Sequence, residues 1–593
     1  MKRILLSLLL LTCAVTAWAQ WSGSVELSGG YGRLTSTDKS TRLHHWLGNG
    51  TFRLGYKSAA FQWNTTLGAS YEDLTSEDFR ISASISDTGA EDVSLASEIK
   101  NKLSRPWGIN FRSDAIWTPS AGLRHHAYVL YGYKYHRGEN LTYKYAGVND
   151  VELSDVYFDL PEAKTHQTEL GYDFTTRLGS PRKVLLGNIS WGQLYKNQQT
   201  QWLLYQDRPD TPTIEPEVMD IYVIRPLSAQ TSIKSAVHLR DSIITAGPTR
   251  LLLDYGVRLS GGVVKDRNSG ATLISQDPVV WKDSTRLRED FKFLTLTAEP
   301  YVAASFRWDK LQVNADYALQ LYARRLTSDL HPSRKLEMVP PSVVGNIRAD
   351  WNFAEGHSLR VGNSLSVKHP DYVQVCWYER QGTYLTQIYR GSNTLESTYS
   401  CAFQLGYNYH YKRLRAALTA TATRRLGEVE QTYSNEEIDG KTYQVFTWIN
   451  ASDSWAMSLA PQVGWAGKLF KTNAGFTHNL TFRTARSGGE RKKSSDWSLW
   501  ADASLTLKGG WQAVADIRYH SSVSSLFTNF SEYWTLNVKV QKAFKHIVVY
   551  LQGRDLLDNP VRKEFLSADQ LEWWAEESRL NRRLIVLGAK WSF

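Results

Sequence analysis

Arg583-Leu-Ile-Val-Leu-Gly-Ala-Lys-Trp-Ser-Phe593 closes the chain, and its reading decides the fold. Counted back from the end, Phe593, Trp591, Ala589, Leu587 and Ile585 share one face, while Ser592, Lys590, Gly588 and Val586 share the other. This follows because strand side chains alternate with period 2. The first face is apolar and carries two aromatic rings at its tip, as a strand crossing a bilayer does where it meets the interface. The second carries a lysine and small residues, which suit a wet interior. A water-soluble domain gives no reason for a chain to stop on such a strand.

The same alternation recurs throughout. Phe61, Trp63, Leu67, Ala69 and Tyr71 oppose Gln62, Asn64, Thr66, Ser70 and Glu72. Leu311, Val313, Ala315, Tyr317 and Leu319 oppose Gln312, Asn314, Asp316 and Gln320. Leu359, Val361, Leu365 and Val367 oppose Ser358, Arg360, Ser364 and Lys368. Trp511, Ala513, Ala515 and Ile517 oppose Gln512, Asp516 and Arg518; Trp534, Leu536, Val538 and Val540 oppose Thr535, Asn537, Lys539 and Gln541. Runs of about 10–15 residues with one wholly apolar face match the length that crosses a bilayer at a tilt. A soluble sandwich or propeller uses strands of about 5–6 residues. The 593 residues contain no later apolar run that could span as a helix, and mean hydropathy is negative. A barrel gives that profile, because only one face of each strand is apolar.

At the other end, Met1-Lys2-Arg3 precedes the apolar run Ile4–Leu11, and Ala17-Trp18-Ala19 has the pattern of a cleavage site. Residues 1–19 are therefore expected to be an export signal, with 20–593 a single barrel domain. Thr12 before Cys13 fits a lipid-attachment site poorly. Two mature cysteines remain, Cys376 and Cys401, either bridged or free. The formal charge of +10 becomes +8 when Lys2 and Arg3 leave. The basic residues are spread among acidic ones rather than gathered in a groove, which excludes a nucleic-acid partner.

Connectors fall into two kinds. Short ones include 57–59, 119–122, 179–182, Gly247-Pro248, Asp309-Lys310, 354–356, Gly509-Gly510 and Lys545; long ones include 139–165, 199–230, 264–294, 369–395, 426–452 and 556–582. Short periplasmic turns alternating with long outer loops are the barrel pattern, and counting back from Phe593 gives 22 antiparallel strands of about 26 residues each. The expected fold is an all-β, up-and-down transmembrane barrel in the outer membrane of a Gram-negative bacterium.

The run from Gly588 through Trp591 to Phe593 resembles the C-terminal signal by which outer-membrane barrels are recognised by insertion machinery, although Val586 stands where a polar residue is usual. Val540–Asn559 (VQKAFKHIVVYLQGRDLLDN) is similar to the turn, strand and "N-D-L-F-N"-like end of the barrel domain of TonB-dependent receptors. His369-Pro-Asp-Tyr372, followed by Gly391-Ser-Asn-Thr-Leu-Glu396, resembles the loop-to-strand passage of the same family, without its later prolines. The resemblance implies a transport or receptor barrel. Family members also carry an N-terminal globular plug and a short segment that pairs with TonB. Here the first strand begins just after the cleavage site, so a plug-less barrel is expected.

A 22-stranded barrel is wide enough to need filling. The sequence offers its own loops, or a plug or surface-complex protein partner. In the loop at 556–582, Ser567-Ala-Asp-Gln570 reads as a capping box opening a short helix through Leu571, Trp573, Trp574 and Leu580, a candidate cap. Asp439-Gly440 reads as a hairpin turn whose strands continue outside the membrane. Candidate lumen-lining residues are Asp316, Arg360, Asp516, Arg518, Lys539 and Lys590. Adjacent His44-His45 and His125-His126 point to opposite faces and cannot share a metal. No motif for catalysis, a cofactor or a metal stands out, so an enzyme is not expected. Three functions compete: a gated receptor-like transport barrel, a passive porin, and a scaffold for a surface complex.

Overall fold

The computed structural model describes residues 21–35, 42–85, 93–148, 152–180, 182–206, 218–244, 249–274, 280–283, 289–328, 336–376, 379–381, 387–438, 441–488, 491–524, 528–557, 561–566, 572–580 and 583–593. The expected signal peptide with Cys13, the turn Asp439-Gly440, and the cap residues Ser567 and Gln570 lie outside them.

Thirty strands are present among the described residues. The first ten are β1 (Trp21–Thr35), β2 (Arg42–Lys57), β3 (Phe61–Ile85), β4 (Val93–Ser104), β5 (Trp107–Ser120), β6 (Leu123–Val148), β7 (Glu152–Arg177), β8 (Lys183–Gln206), β9 (Val218–Ile244) and β10 (Thr249–Ile274). Next come β11 (Val280–Asp283), β12 (Glu289–Trp308), β13 (Leu311–Ser328), β14 (Glu337–Ala354), β15 (His357–Lys368), β16 (Glu379–Gln381), β17 (Gln387–Arg390), β18 (Thr398–Tyr411), β19 (Leu414–Ile438) and β20 (Lys441–Ala466). The last are β21 (Phe470–Ala485), β22 (Arg491–Leu507), β23 (Trp511–His520), β24 (Val523–Ser524), β25 (Thr528–Phe530), β26 (Tyr533–Ala543), β27 (Ile547–Arg554), β28 (Val561–Leu566), β29 (Glu572–Leu580) and β30 (Leu584–Ser592).

Twenty-two of these close a ring in which every neighbour is antiparallel; β4, β11, β16, β17, β24, β25, β28 and β29 are additional outer pieces. The ring closes where β1 pairs with β30, from Ser24 opposite Ser592 to Tyr31 opposite Ile585. An even strand number lets first and last strands meet antiparallel, so no edge is left unpaired. The expected all-β barrel and its 22 strands are borne out.

Alternation sorts the wall into two faces. Leu259, Leu296, Val302, Leu319, Val361, Leu405, Ile585 and Leu587 are exposed large apolar residues on the lipid side. Trp117, Trp308, Trp351, Tyr411, Trp465, Trp511 and Phe544 are exposed beside the short turns and form an interfacial girdle there. On the opposite face of the last strand, Leu584 and Val586 are buried with Tyr550, and Leu47 packs against them.

The strands are longer than the sequence suggested. β6, β7, β8, β9 and β10 run 24–27 residues, where about 9–11 suffice to cross. Segments read as loops, such as Asn140 to Ala146, are strand paired with β7. Beyond the bilayer both faces meet water, so the period-2 signal fades although backbone pairing continues. The strands around Asp439-Gly440 do continue outward, with Ile438 opposite Lys441.

The helix expected through Trp573, Trp574 and Leu580 is not formed. Glu572–Leu580 is the strand β29, paired with β28 and, from Ser76 to Ser84, with the outer end of β3. The outer end of β3 runs beyond its pairing with β2, and β29 covers the edge that would otherwise be left open there. Satisfying that row of backbone groups outweighs a local capping motif.

Candidate functional site

The outer mouth of the barrel is organised by the connection 369–397 between β15 and β18. Its first residue, His369, lies ring-on-ring against Tyr322 of β13, centroids 3.7 Å apart and planes 5° off parallel. Gln320 Nε2 donates to Glu299 Oε1 at 2.8 Å, which orients the amide so that its oxygen faces His369. His369 Nε2 therefore donates to Gln320 Oε1 at 2.8 Å, and Nδ1 is left to accept from Ser397 Oγ at 2.8 Å. Burial, with the Arg324 guanidinium nearby, holds this imidazole below the usual histidine range. It is therefore a neutral clasp.

Asp371 then caps a single helical turn, Tyr372–Val375; its side chain accepts from the Gln374 N–H while Gln374 reaches back to the Asp371 N–H. The Tyr372 hydroxyl donates to Asp266 of β10, and its ring lies 6.1 Å from that of Phe293 on β12. Phe291 and the fully buried Cys376 form a small core here, with Leu326 and Tyr372 packed against it. Asp266, Phe291, Phe293, Gln320 and Tyr322 all alternate with lipid-exposed residues of their strands (Leu259, Leu296, Leu319). The clasp therefore holds the loop against the lumenal side of β10, β12 and β13.

The loop's other limb binds across the mouth. Gln387–Tyr389 runs parallel to Gln444–Phe446 of β20. Tyr389 stacks on Phe446 at 5.1 Å, and Arg390 forms a two-pronged pair with Glu436 of β19 at 3.0 Å. The two limbs meet where Ser392 N–H donates to Gln374 O at 2.7 Å. Gly391 is required there, because a Cβ would fall 2.0 Å from the Cys376 carbonyl oxygen. Glu396 then pairs with Arg486 at 2.8 Å and exchanges backbone bonds with the Asn450 amide.

Beside this loop lies a cavity of about 540 Å³, whose lining includes Lys368, His369, Arg425, Glu428, Arg483 and Lys563. Glu428 accepts from Arg425 at 3.3 Å and from Ser452 at 3.3 Å, and stands 3.9 Å from Arg483 Nε. Arg483 also donates to Ser494 Oγ and Ser524 O, each at 3.0 Å. The cavity is polar, mixed in sign with basic excess, and opens beside the clasp.

Sequence reasoning quoted His369–Tyr372 and Gly391–Glu396 only as a resemblance; it did not see that they fold inward. Nothing in a single sequence links His369 to Tyr322 or Tyr372 to Asp266. The residues it chose for the lumen stand lower in the barrel. Asp316 accepts from Arg258 at 2.7 Å, and Arg360 pairs with Asp350 at 2.7 Å. Asp516 accepts from Asn537 at 2.9 Å, and Lys539 lies 4.4 Å over the Tyr550 ring. Arg518 stands opposite Thr535, and Lys590 stands opposite Glu26. They belong to a paired polar wall and do not converge on one point. At the chain end Trp591 and Phe593 have ring centroids 5.3 Å apart. Phe593 exchanges both backbone bonds with Gly23 at 3.0 Å.

The histidine pairs split as expected. His125 stacks on lipid-side Trp117, whereas His126 bonds Asp173 at 2.7 Å on the other face. Among the described residues no group of His, Cys, Asp and Glu is arranged to hold a metal, and Cys376 and Cys401 are free thiols.

Residues 255–590 match the model of the outer membrane protein beta-barrel family. No curated protein matches the sequence. Among solved structures, the ferripyoverdine receptor of the outer membrane of Pseudomonas aeruginosa, bound to ferripyoverdine, aligns with a TM-score of 0.57 and 12% identity, over 97% of this chain and 72% of that one. The siderophore receptor PirA from Pseudomonas aeruginosa gives 0.51 and 10%, over 97% and 80%. The ferric citrate transporter FecA in its unliganded form gives 0.57 and 10%, over 97% and 79%. At such identities the shared property is the barrel fold.

Proposed function

This chain belongs to the outer membrane protein beta-barrel family and resides in the outer membrane of a Gram-negative bacterium, and from that premise we propose that it is a non-enzymatic transport barrel of receptor type, gated at its outer mouth by its own loop 369–397. The observation that carries this reading is the two-sided anchoring of the loop, on Asp266 and Tyr322 at one limb and on Phe446 and Glu436 at the other. A passive porin needs no such clasp. The neighbouring cavity supplies a place where a polar solute would meet the gate from outside.

Residues 1–19 act in this reading as the export signal, and 20–593 as the barrel. Its last strand, with Gly588, Trp591 and Phe593, addresses the insertion machinery. The polar wall around Asp316, Arg360, Asp516, Arg518, Lys539 and Lys590 keeps the passage wet. Trp573 and Trp574, on a strand of the outer rim, serve a partner protein or the rim itself rather than a helical cap.

The test is solute influx into vesicles carrying the purified protein. With residues 377–389 replaced by a short Gly-Ser linker, neutral sugars should enter; with the intact chain they should not. Rapid entry through the intact chain would support the porin reading instead. Exclusion by both would favour a scaffold or a lumen filled by another chain.

A further inference from the structure

The ends of the hairpins opposite the mouth are uneven in charge. Four consecutive short turns join β18 to β19, β20 to β21, β22 to β23 and β26 to β27. They are Lys412-Arg413, Gly467-Lys468-Leu469, Lys508-Gly509-Gly510 and Phe544-Lys545-His546. All five basic side chains are exposed, none makes an ion pair among the described residues, and no turn contains an acid. The described turns on the other side of the ring carry no such run of cations: Asp309 stands beside Lys310, Glu355 has no basic partner in its turn, Ala121-Gly122 is uncharged, and Arg182 is the one cation described between β7 and β8.

Where these cations stand is decided by the rings beneath them. Tyr411, Trp465, Phe470, Trp511 and Phe544 are exposed on the lipid side at the foot of the same strands. Lys412 Nζ lies 5.0 Å over the Tyr411 ring, and Lys542 Nζ lies 5.0 Å over Trp511 and 5.7 Å from Phe544. Lys542 lies two residues beyond the lipid-exposed Val540, on the same face of β26, and is fixed by donating to Gly509 O. The Lys412 and Lys542 ammonium groups thus sit beside the outward girdle, at headgroup height, and not over the lumen, and the other three turns of the arc project from the foot of the same girdle strands. Lys412 occupies a left-handed turn position, φ 50°, where glycine or asparagine would be less strained.

We propose that this arc is a binding surface for the phosphate headgroups of anionic phospholipids in the periplasmic leaflet. Adjacent hairpins repeat about every 10 Å around the rim, a spacing that gives each turn its own headgroup. The girdle rings pack on the upper acyl chains while the lysines meet the phosphates. An acidic periplasmic protein is the other occupant such charge could take. The position of the cations over lipid-facing rings favours the lipid.

The test uses the full chain in mixed vesicles, with spin-labelled phosphatidylglycerol and spin-labelled phosphatidylcholine as probes of the lipids held at the barrel surface. The wild type should hold phosphatidylglycerol in preference by about threefold or more at low salt, and less in high salt. The combined variant Lys412→Gln, Arg413→Gln, Lys468→Gln, Lys508→Gln and Lys545→Gln should bring the ratio close to one. Neutralising Lys57, Arg182 and Lys310 on the other side should leave it high. Far-ultraviolet circular dichroism and retained heat-modifiable migration establish that each variant is a folded barrel. A wild-type ratio of one, or an arc variant that keeps the wild-type preference, would overturn the proposal. So would an equal loss in the variant of the other side.

Discussion

Tyr550 lies with its ring over Gly588, and its hydroxyl donates to Glu26 Oε1 at 3.1 Å. One side chain of β27 thereby crosses the last strand and bonds the first, at the seam where the barrel closes. A Cβ at Gly588 would fall 2.3 Å from the ring. Gly588→Val must therefore displace Tyr550, at a cost of about 1–3 kcal/mol from overpacking. Tyr550→Phe keeps the ring and loses one hydrogen bond, about 1 kcal/mol. The temperature at which the folded band shifts on electrophoresis should fall more for Gly588→Val than for Tyr550→Phe. Equal shifts would mean the ring contact does not hold the seam.

The Tyr372 hydroxyl meets a buried carboxylate, Asp266. Tyr372→Phe removes a charge-assisted bond worth about 1.5–3 kcal/mol and leaves Asp266 without that donor. Limited proteolysis of the folded barrel should then cut within 377–389 at least tenfold faster, with wall strands still protected. An unchanged cutting rate would show that this bond does not restrain the loop.

Gly391 and Cys376 form the neck of the same loop. In a Cys401→Ala background, maleimide should label Cys376 only slowly, since its side chain is fully buried. Gly391→Ala forces the neck apart, because no flexible group can yield to the new methyl. Labelling should become rapid without loss of the folded band. Rapid labelling in the parent protein would contradict the buried neck.

His369 makes the clasp sensitive to acid. Its folded-state pKa lies below the unfolded value, about 6.5, because burial and Arg324 disfavour the charged ring. The released loop therefore binds more protons than the closed one, and closure weakens as pH falls below about 6.5. Above that value closure should be independent of pH. Arg324 is held in place by its pair with Glu337 at 3.0 Å. Proteolysis of the loop should accelerate from pH 7 to pH 5 in the wild type. His369→Gln, which keeps hydrogen-bonding capacity without titrating, should flatten that profile; a parallel rise in the variant would assign the effect to another group.

The wall was legible because burial in lipid writes itself into every second residue. The opposition of Leu319 to Gln320, or of Leu587 to Val586, needs no partner to be read. The seam was partly legible, since Gly588 stood out in the terminal strand while Tyr550 did not. The mouth was not legible. His369 meets Tyr322 and Tyr372 meets Asp266 across gaps of 47 and 106 positions, and nothing periodic marks either partner. The helix expected through Trp573, Trp574 and Leu580 was misread for a related reason. Local propensity has no knowledge of the strand edge that β3 offers from Ser76 to Ser84.

Single-channel recording in planar bilayers tests the central claim most directly. The intact protein should be silent or open only briefly at neutral pH, and replacement of 377–389 by a short linker should give a large, steady conductance. A large steady conductance in the intact protein, unchanged by that replacement, would contradict a gate built from loop 369–397.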